Sequence, residues 1–358
     1  MRSTTPWFKW TVFVPVLSWL IYLCHSLVSS GFYLVVLAAA LIGSVLAAVY
    51  HAEVIAHRVG EPFGTLVLAI AVTVIEVALI VSLMIAGGKK DAGLARDTVF
   101  AAVMIILTAM IGLSILVGGI KYKEQTFGLQ GVSSTLTVLV SISVLTMILP
   151  NYTESTPGPA YNNSQLAFVA IVTLVLYGTF ILVQNIRHRD HFLSGNEEQD
   201  DHDTRPSGRD AGISSLFLLV CLGSVVLVAK TLSPSLEKAV DTIGAPKSLV
   251  GIIIAMVVLL PEGLAAVKAA KDNNLQKALN LSLGSSLASI GLTIPAVSFL
   301  SIFTGLPLSL GIDLKSTVLF FLSLIVIIVS LSTGKTTLLQ GCVLLVIFAI
   351  YLFITIVP

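Results

Sequence analysis

Residues 62–86 read PFGTLVLAIAVTVIEVALIVSLMIA, an apolar run broken by a single carboxylate, Glu76. About 20 apolar residues span the hydrocarbon core as a helix, so this stretch predicts a membrane-spanning helix with an acid near its centre. An ionised group there costs roughly 2.5 to 3.5 kcal/mol on insertion scales, and proteins that carry one supply a partner ion, a proton or a cavity. Residues 247–270, KSLVGIIIAMVVLLPEGLAAVKAA, repeat the arrangement around Glu262. Two such acids in related settings point to a site that holds cations and protons.

The surrounding chain is of the same kind. Of its 358 residues 56% are apolar and 11% charged, far below the soluble average of about 25% charged. Eleven apolar segments are legible, near 10–29, 32–56, 62–86, 97–120, 128–149, 165–186, 212–232, 246–268, 276–304, 314–332 and 336–357. The fold class expected is an all-α polytopic membrane protein with about 11 transmembrane helices, and lipid is its first partner. The amino terminus lacks a signal peptide's short apolar core and cleavage site, so the first segment is expected to stay as a span. Thirteen Lys and Arg fall on the amino-terminal side of the membrane, among them Lys121, Lys271 and Lys335, and seven on the other, among them Lys89, Arg96 and Lys315. The positive-inside rule then places the amino terminus in the cytoplasm and the carboxyl terminus outside. Cys24, Cys221 and Cys342 lie scattered in apolar spans and read as packing residues. A net charge of +1 suggests no nucleic-acid partner.

The longest polar connection, residues 187–211, is acidic (Glu197, Glu198, Asp200, Asp201, Asp203) and carries His188, His191 and His202. It reads as a solvated linker, at most a weak cation sensor, since it lacks the glycine and final glutamate of an EF-hand loop. The halves it joins resemble each other. Before Glu76 stands AEVIAHRVGEP and before Glu262 stands LEKAVDTIGAP, which pairs Glu53 with Glu237, Gly60 with Gly244 and Pro62 with Pro246. Each block ends one long helix and opens an apolar one with proline in its first turn, 14 residues before Glu76 and 16 before Glu262. Five spans separate the equivalent helices, and an odd offset inverts the second copy. The expected plan is a leading helix (1–30), a first five-helix repeat (31–186), the cytoplasmic linker (187–211) and a second, inverted repeat (212–358). Secondary transporters built this way bind substrate near the midplane, where the repeats meet.

Around Glu262, Pro261 removes a helix hydrogen bond and Gly263 loosens the backbone, so carbonyls are freed for a hard cation. Calcium takes 6 to 8 oxygen ligands and sodium fewer, and both fit this chemistry. The ninth span carries a polar stripe: Asn280, Ser282, Gly284, Ser285, Ser286 and Ser289. Small residues also serve close helix approach; the sharper reading is that Ser285, with Ser286 and Gly284 beside it, faces an ion. Thr73 precedes Glu76 by three residues on nearly the same helix face, and Thr108 lies in the fourth span. Asp97, Glu53, Glu237, Thr108 and Asn280 are candidates for an access or proton path, although the acids read more readily as interfacial charges or helix-end electrostatics. His51 and His57 bracket Glu53 as candidate relays. Asn151 and Asn162 begin glycosylation sequons. The sequence has no GxxxxGK[ST] loop for a nucleotide, no HExxH and no GxSxG, and no enzymatic activity or cofactor is expected.

HRVGEPFGTLVLAIAVTVIEV (57–77), LVGGIK (116–121), the acidic linker and LLPEGLAAVKAAKDNNLQKALNLSLGSSLASIGLTIP (259–295) together resemble the ChaA-type proton antiporters of bacteria. These belong to the cation/proton exchanger branch of the calcium/cation antiporter superfamily. The resemblance implies exchange of Ca2+, Na+ or K+ for H+, Glu76 and Glu262 as the metal- and proton-binding carboxylates, and a bacterial inner-membrane location. The wider family writes Gly-Asn-x-x-Glu where this chain has Val72 and Thr73 before Glu76, and Val258 and Leu259 before Glu262. Ala288 replaces a frequent glutamine, and Ile105 and Ile106 a frequent Ser-Asn pair. Fewer amide oxygens leave room for monovalent ions.

The expectation is an antiporter that exports cytoplasmic Ca2+ against proton entry by alternating access. The alternatives are a Na+ or K+/H+ antiporter without significant Ca2+ transport, a cation channel, and a membrane-embedded enzyme or scaffold. Ion ranking, stoichiometry and oligomeric state are not readable from the sequence.

Overall fold

A computed structural model describes residues 10–24, 31–60, 63–87, 92–192, 206–242, 244–246 and 248–357. In chain order the helices are α1 (Trp10–Leu23), α2 (Gly31–Val59), α3 (Phe63–Gly87), α4 (Leu94–Met104), α5 (Ile111–Tyr122), α6 (Leu129–Ser143) and α7 (Asn163–Leu182). After the linker follow α8 (Gly208–Thr242), α9 (Ser248–Val258), α10 (Leu260–Lys271), α11 (Leu275–Ala288), α12 (Ile294–Thr304), α13 (Leu314–Leu331) and α14 (Leu338–Ile356). Wide π-type turns join α4 to α5 (Ile105–Met110) and α11 to α12 (Ser289–Thr293) into single spans, and others follow α6 and α7.

Among the described residues nine spans are long and apolar enough to cross a membrane, and ten when the bent pair α9–α10 counts as one. The segment expected over 10–29 lies within the described residues as far as Cys24, and there it forms the helix Trp10–Leu23. At 1.5 Å per residue its 14 residues reach about 21 Å, short of a hydrocarbon core about 30 Å thick. The seventh span, expected over 212–232, runs on to Thr242 with Pro234 inside it. The acids of the linker from Glu197 to Asp203, His202 and Pro62 lie outside the described residues.

The helix order after α1 recurs after the linker: a long helix, a glutamate helix, a span with a wide turn at its middle, and two further spans. The aligned glycines agree in detail. Gly60 and Gly244, with φ of 77° and 71°, close α2 and α8 in the left-handed conformation that a Cβ disfavours. The symmetry fails at the glutamate helices, because α3 is continuous and its counterpart is broken between α9 and α10.

The helices cluster into two compact units, with the boundary in the second half at Val250. The first contains α1, α2, α3 and α8. In it α2 packs on both α8 and α1, burying Leu37, Leu41, Ser44, Ala48 and Ala52 of α2 and Ser224, Val225 and Val228 of α8, with Ser44 donating to Ser18 of α1 at 2.9 Å. Small side chains let these helices approach closely, which is how helices associate where lipid is as apolar as leucine.

The second unit is centred on the α4–α5 span, whose most apolar window is 83% buried. Two three-residue strands, β1 (Glu124–Thr126) and β2 (Lys335–Thr337), pair antiparallel in this unit and join the chain after α5 to the chain before α14. The Lys335 ammonium donates to Glu124 at 2.8 Å, and this partner raises the lysine's pKa.

Candidate functional site

In the first unit Glu76 and Thr73 share a buried face of α3, at 5% and 4% exposure, while Val74 between them is exposed. The spacing of three residues places them one above the other. The Thr73 hydroxyl donates to the Ala69 carbonyl at 2.9 Å, so its lone pairs remain as acceptors toward a cation. Glu53 is exposed near the end of α2. Glu237 accepts from Ser233 Oγ one turn earlier on α8, at 3.1 Å. His51 sits in packing: Nε2 faces the Thr11 carbonyl and Nδ1 the Ser214 hydroxyl, each at 3.2 Å, with its ring stacked on Phe217. A carbonyl can only accept, which places a proton on Nε2 and ties α1, α2 and α8 together. His57 is exposed.

In the second unit Glu262 is buried at 7% exposure in the first turn of α10. The chain bends by 56° between α9 and α10, with Leu259 at the corner. Leu259 N donates to Ala255 O and Gly263 N to Leu259 O, both at 2.9 Å, but Pro261 has no N–H to offer the Val257 carbonyl four residues back. The carboxylate therefore lies in the first turn of α10, where the dipole favours negative charge, and Pro261 leaves the Val257 carbonyl without the donor a continuous helix would give it. A Cβ added to Gly263 or Gly284 would meet nothing within 4 Å, so there is open space beside the backbone at both.

Helices α10 and α11 pack along each other, and both pack on the wide turn that holds Thr108. This unit thereby collects the elements carrying Glu262, the Gly284–Ser286 stripe and Thr108. Ser286 is fully buried, and its hydroxyl has no hydrogen-bond partner among the described residues. Ser285 is half-buried, Ser282 donates to Ala278 O at 2.7 Å, and Thr108 donates to the Met104 carbonyl inside the wide turn. Among the described residues no three His, Cys, Asp or Glu side chains gather as a metal site, so a cation here would draw on carbonyl and hydroxyl oxygens beside a carboxylate.

Two candidates for an access path are engaged in scaffolding. Asp97 pairs with Arg96 at 2.7 Å, and Arg96 also donates to the Gly311 carbonyl at 2.9 Å. Asn280 donates to the Phe192 carbonyl at 2.5 Å and accepts from Gln276 at 2.8 Å. The sequon asparagines are occupied too: Asn151 donates to Ile312 O at 2.7 Å, and Asn162 caps α7 in a capping box with Gln165. Arg96 had no signal in the sequence beyond its place next to Asp97.

The sodium/calcium exchanger protein family matches the chain over residues 29–185 and 213–357. The chain is 42% identical over 356 residues to the putative ionic transporter y4hA of Sinorhizobium fredii, with 96% of this chain and 97% of that protein covered. It is 35% identical over 316 residues to the sodium-potassium/proton antiporter ChaA of Escherichia coli, covering 87% and 85%. Of solved structures, native YfkE superposes with a TM-score of 0.74 at 19% identity, over 97% of this chain and 100% of that one. The H+/Ca2+ exchanger CAX superposes at 0.67 and 14%, over 96% and 87%. These two likenesses concern the fold.

Proposed function

The chain belongs to the sodium/calcium exchanger protein family, and we infer that it is a secondary antiporter exchanging cytoplasmic Ca2+ for external protons, with Glu76 and Glu262 as the exchanging carboxylates. The observation that carries this reading is the setting of Glu262: a buried carboxylate at a proline-broken helix start, packed with the Gly284–Ser286 helix and the Thr108 turn. A bare carboxylate at that depth is poorly solvated, so it takes up either protons or a cation. Bound metal displaces the proton, and an empty charged site resists crossing between the two access states. That mutual exclusion couples the two flows. Beside Glu262 the Val257 carbonyl and the hydroxyls of Ser285 and Ser286, and beside Glu76 the hydroxyl of Thr73, are the proposed oxygen ligands; Asp97, Glu53 and Glu237 stay as candidates for the route. The protein sits in the bacterial inner membrane with its amino terminus in the cytoplasm and its carboxyl terminus outside.

A second reading, exchange of Na+ or K+ for protons, is favoured by the relation to ChaA of E. coli, named a sodium-potassium/proton antiporter. The apolar Val72, Val258 and Leu259 before the two glutamates favour it as well. Purified protein in vesicles with an imposed pH gradient tests both. Cation movement opposed by measured proton movement is expected, and the ion that moves selects the reading. Ionic current without proton counterflow would make the protein a channel and overturn it.

A further inference from the structure

We infer that Gln125, on strand β1, is a positioning residue for cation/proton exchange, because its side-chain amide clasps the far end of α10, the helix that carries Glu262 in its first turn. The inference rests on the reading of Glu262 as an exchanging carboxylate. At its first turn α10 is set off from α9 by the bend at Leu259, and Pro261 removes one hydrogen bond of the ladder there. From Glu262 to Ala270 is about 12 Å of stiff helix, so the seating of one end fixes the position of the other.

The far end is seated by three side chains from one stretch of chain. Gln125 Nε2 donates to Ala270 O at 2.9 Å and to Asn273 Oδ1 at 3.1 Å. Lys121 Nζ and Tyr122 OH both donate to Lys271 O, at 2.9 and 3.0 Å. These carbonyls belong to the last turn of α10, where N–H donors run out and the dipole favours the lysine charge; Ala270 O accepts from Asn273 N as well, at 3.2 Å. Both Nε2 protons are used. Turning the amide over would set its oxygen against two acceptors, so the orientation follows from the partners.

Gln125 is 3% exposed, and room for it is provided by Gly118, where a Cβ would overlap the amide. Gly119 gives the same clearance to the backbone of Leu338, the residue after β2. The pair of glycines in LVGGIK thus finds its physical reason in this clasp. From β1 the ties continue to α11, where Gln276 accepts from Gly128 N at 2.5 Å. The hairpin α10–α11, which carries Glu262 and the Gly284–Ser286 stripe, is held at its closed end by the β1 segment.

The test replaces the donor and keeps the shape. Full-length protein in vesicles is assayed at matched pH on both sides, with a cation gradient driving exchange and each rate divided by that of the wild type at the same pH. Gln125→Glu is expected to run about tenfold below wild type at the alkaline end of the range, where even a buried carboxyl facing carbonyls is ionised. It is expected to recover toward wild type in mild acid, where a protonated carboxyl again donates. Gln125→Leu is expected to stay low throughout. Recovery in the same folded sample separates positioning from a folding defect. A Gln125→Glu ratio that stays flat with pH, either at the wild-type level or below it, would overturn the clasp. If Glu262→Gln exchanges normally, the exchange reading itself fails; if Glu262→Gln is dead and Gln125→Glu is flat, only the clasp is lost.

Discussion

At the scale of single residues, Glu76 and Glu262 stand out because charge inside apolar sequence is costly wherever the chain folds. The glutamine isosteres keep size and hydrogen bonding and remove the exchangeable proton. Glu76→Gln and Glu262→Gln are each expected to lower proton-coupled cation flux in vesicles by about a hundredfold or more, with normal elution on size exclusion. Near-normal flux in either would remove that residue from the exchange cycle. Glu76→Asp retains the charge and withdraws it by one methylene, so weaker cation affinity with some exchange remaining is expected. Ser286 offers a subtler test. Its buried hydroxyl has no hydrogen-bond partner among the described residues, so removing it should leave the melting temperature unchanged or slightly raised. As an ion ligand it would show instead in affinity: Ser286→Ala should raise the KM for the cation roughly fivefold with little change in maximal rate. An unchanged KM would return Ser286 to packing.

At the scale of elements, the break between α9 and α10 is the feature to probe. Pro261→Ala restores an N–H that can donate to Val257 O and favours one continuous helix, a change of up to about 3 kcal/mol in helix preference. The expected outcome is a higher melting temperature with exchange about tenfold slower, since the open carbonyl is lost. Higher stability with unchanged exchange would make the bend a matter of packing alone. The proline and the glycine beside Glu262 were readable as a weak point, and the spans were readable because twenty apolar residues leave few other choices. Gly60 and Gly244 were visible as a repeat, and their shared left-handed conformation supplies the reason. Other elements were hidden for physical causes. Leu236–Thr242 carries three charges in seven residues and does not look like part of a span, yet α8 continues through it. The wide turns at 105–110 and 289–293 are set by packing against neighbouring helices, which no local periodicity records. Strands β1 and β2 are three residues each and are separated by most of the chain, so their pairing, and with it the role of Gln125, is a tertiary fact.

At the scale of the whole molecule, charge balance makes a prediction that distinguishes the cargo ions. Two bare carboxylates carry two negative charges, which two protons or one Ca2+ neutralise, whereas each Na+ or K+ replaces one proton. Exchange coupled in this way stops when the cation gradient and the pH gradient balance. A tenfold Ca2+ gradient exchanged for two protons should be held by a difference of about half a pH unit, and a tenfold Na+ gradient exchanged one for one by about one unit. Vesicles loaded with a pH-sensitive dye and a fixed tenfold cation gradient would report the pH difference at which net flux vanishes. A null point near half a unit with Ca2+ supports both carboxylates giving up protons in each cycle. A null point near one unit with Ca2+ would mean that a single carboxylate exchanges, and Glu76→Gln and Glu262→Gln would then differ: the one that still transports identifies the acid that is not part of the cycle.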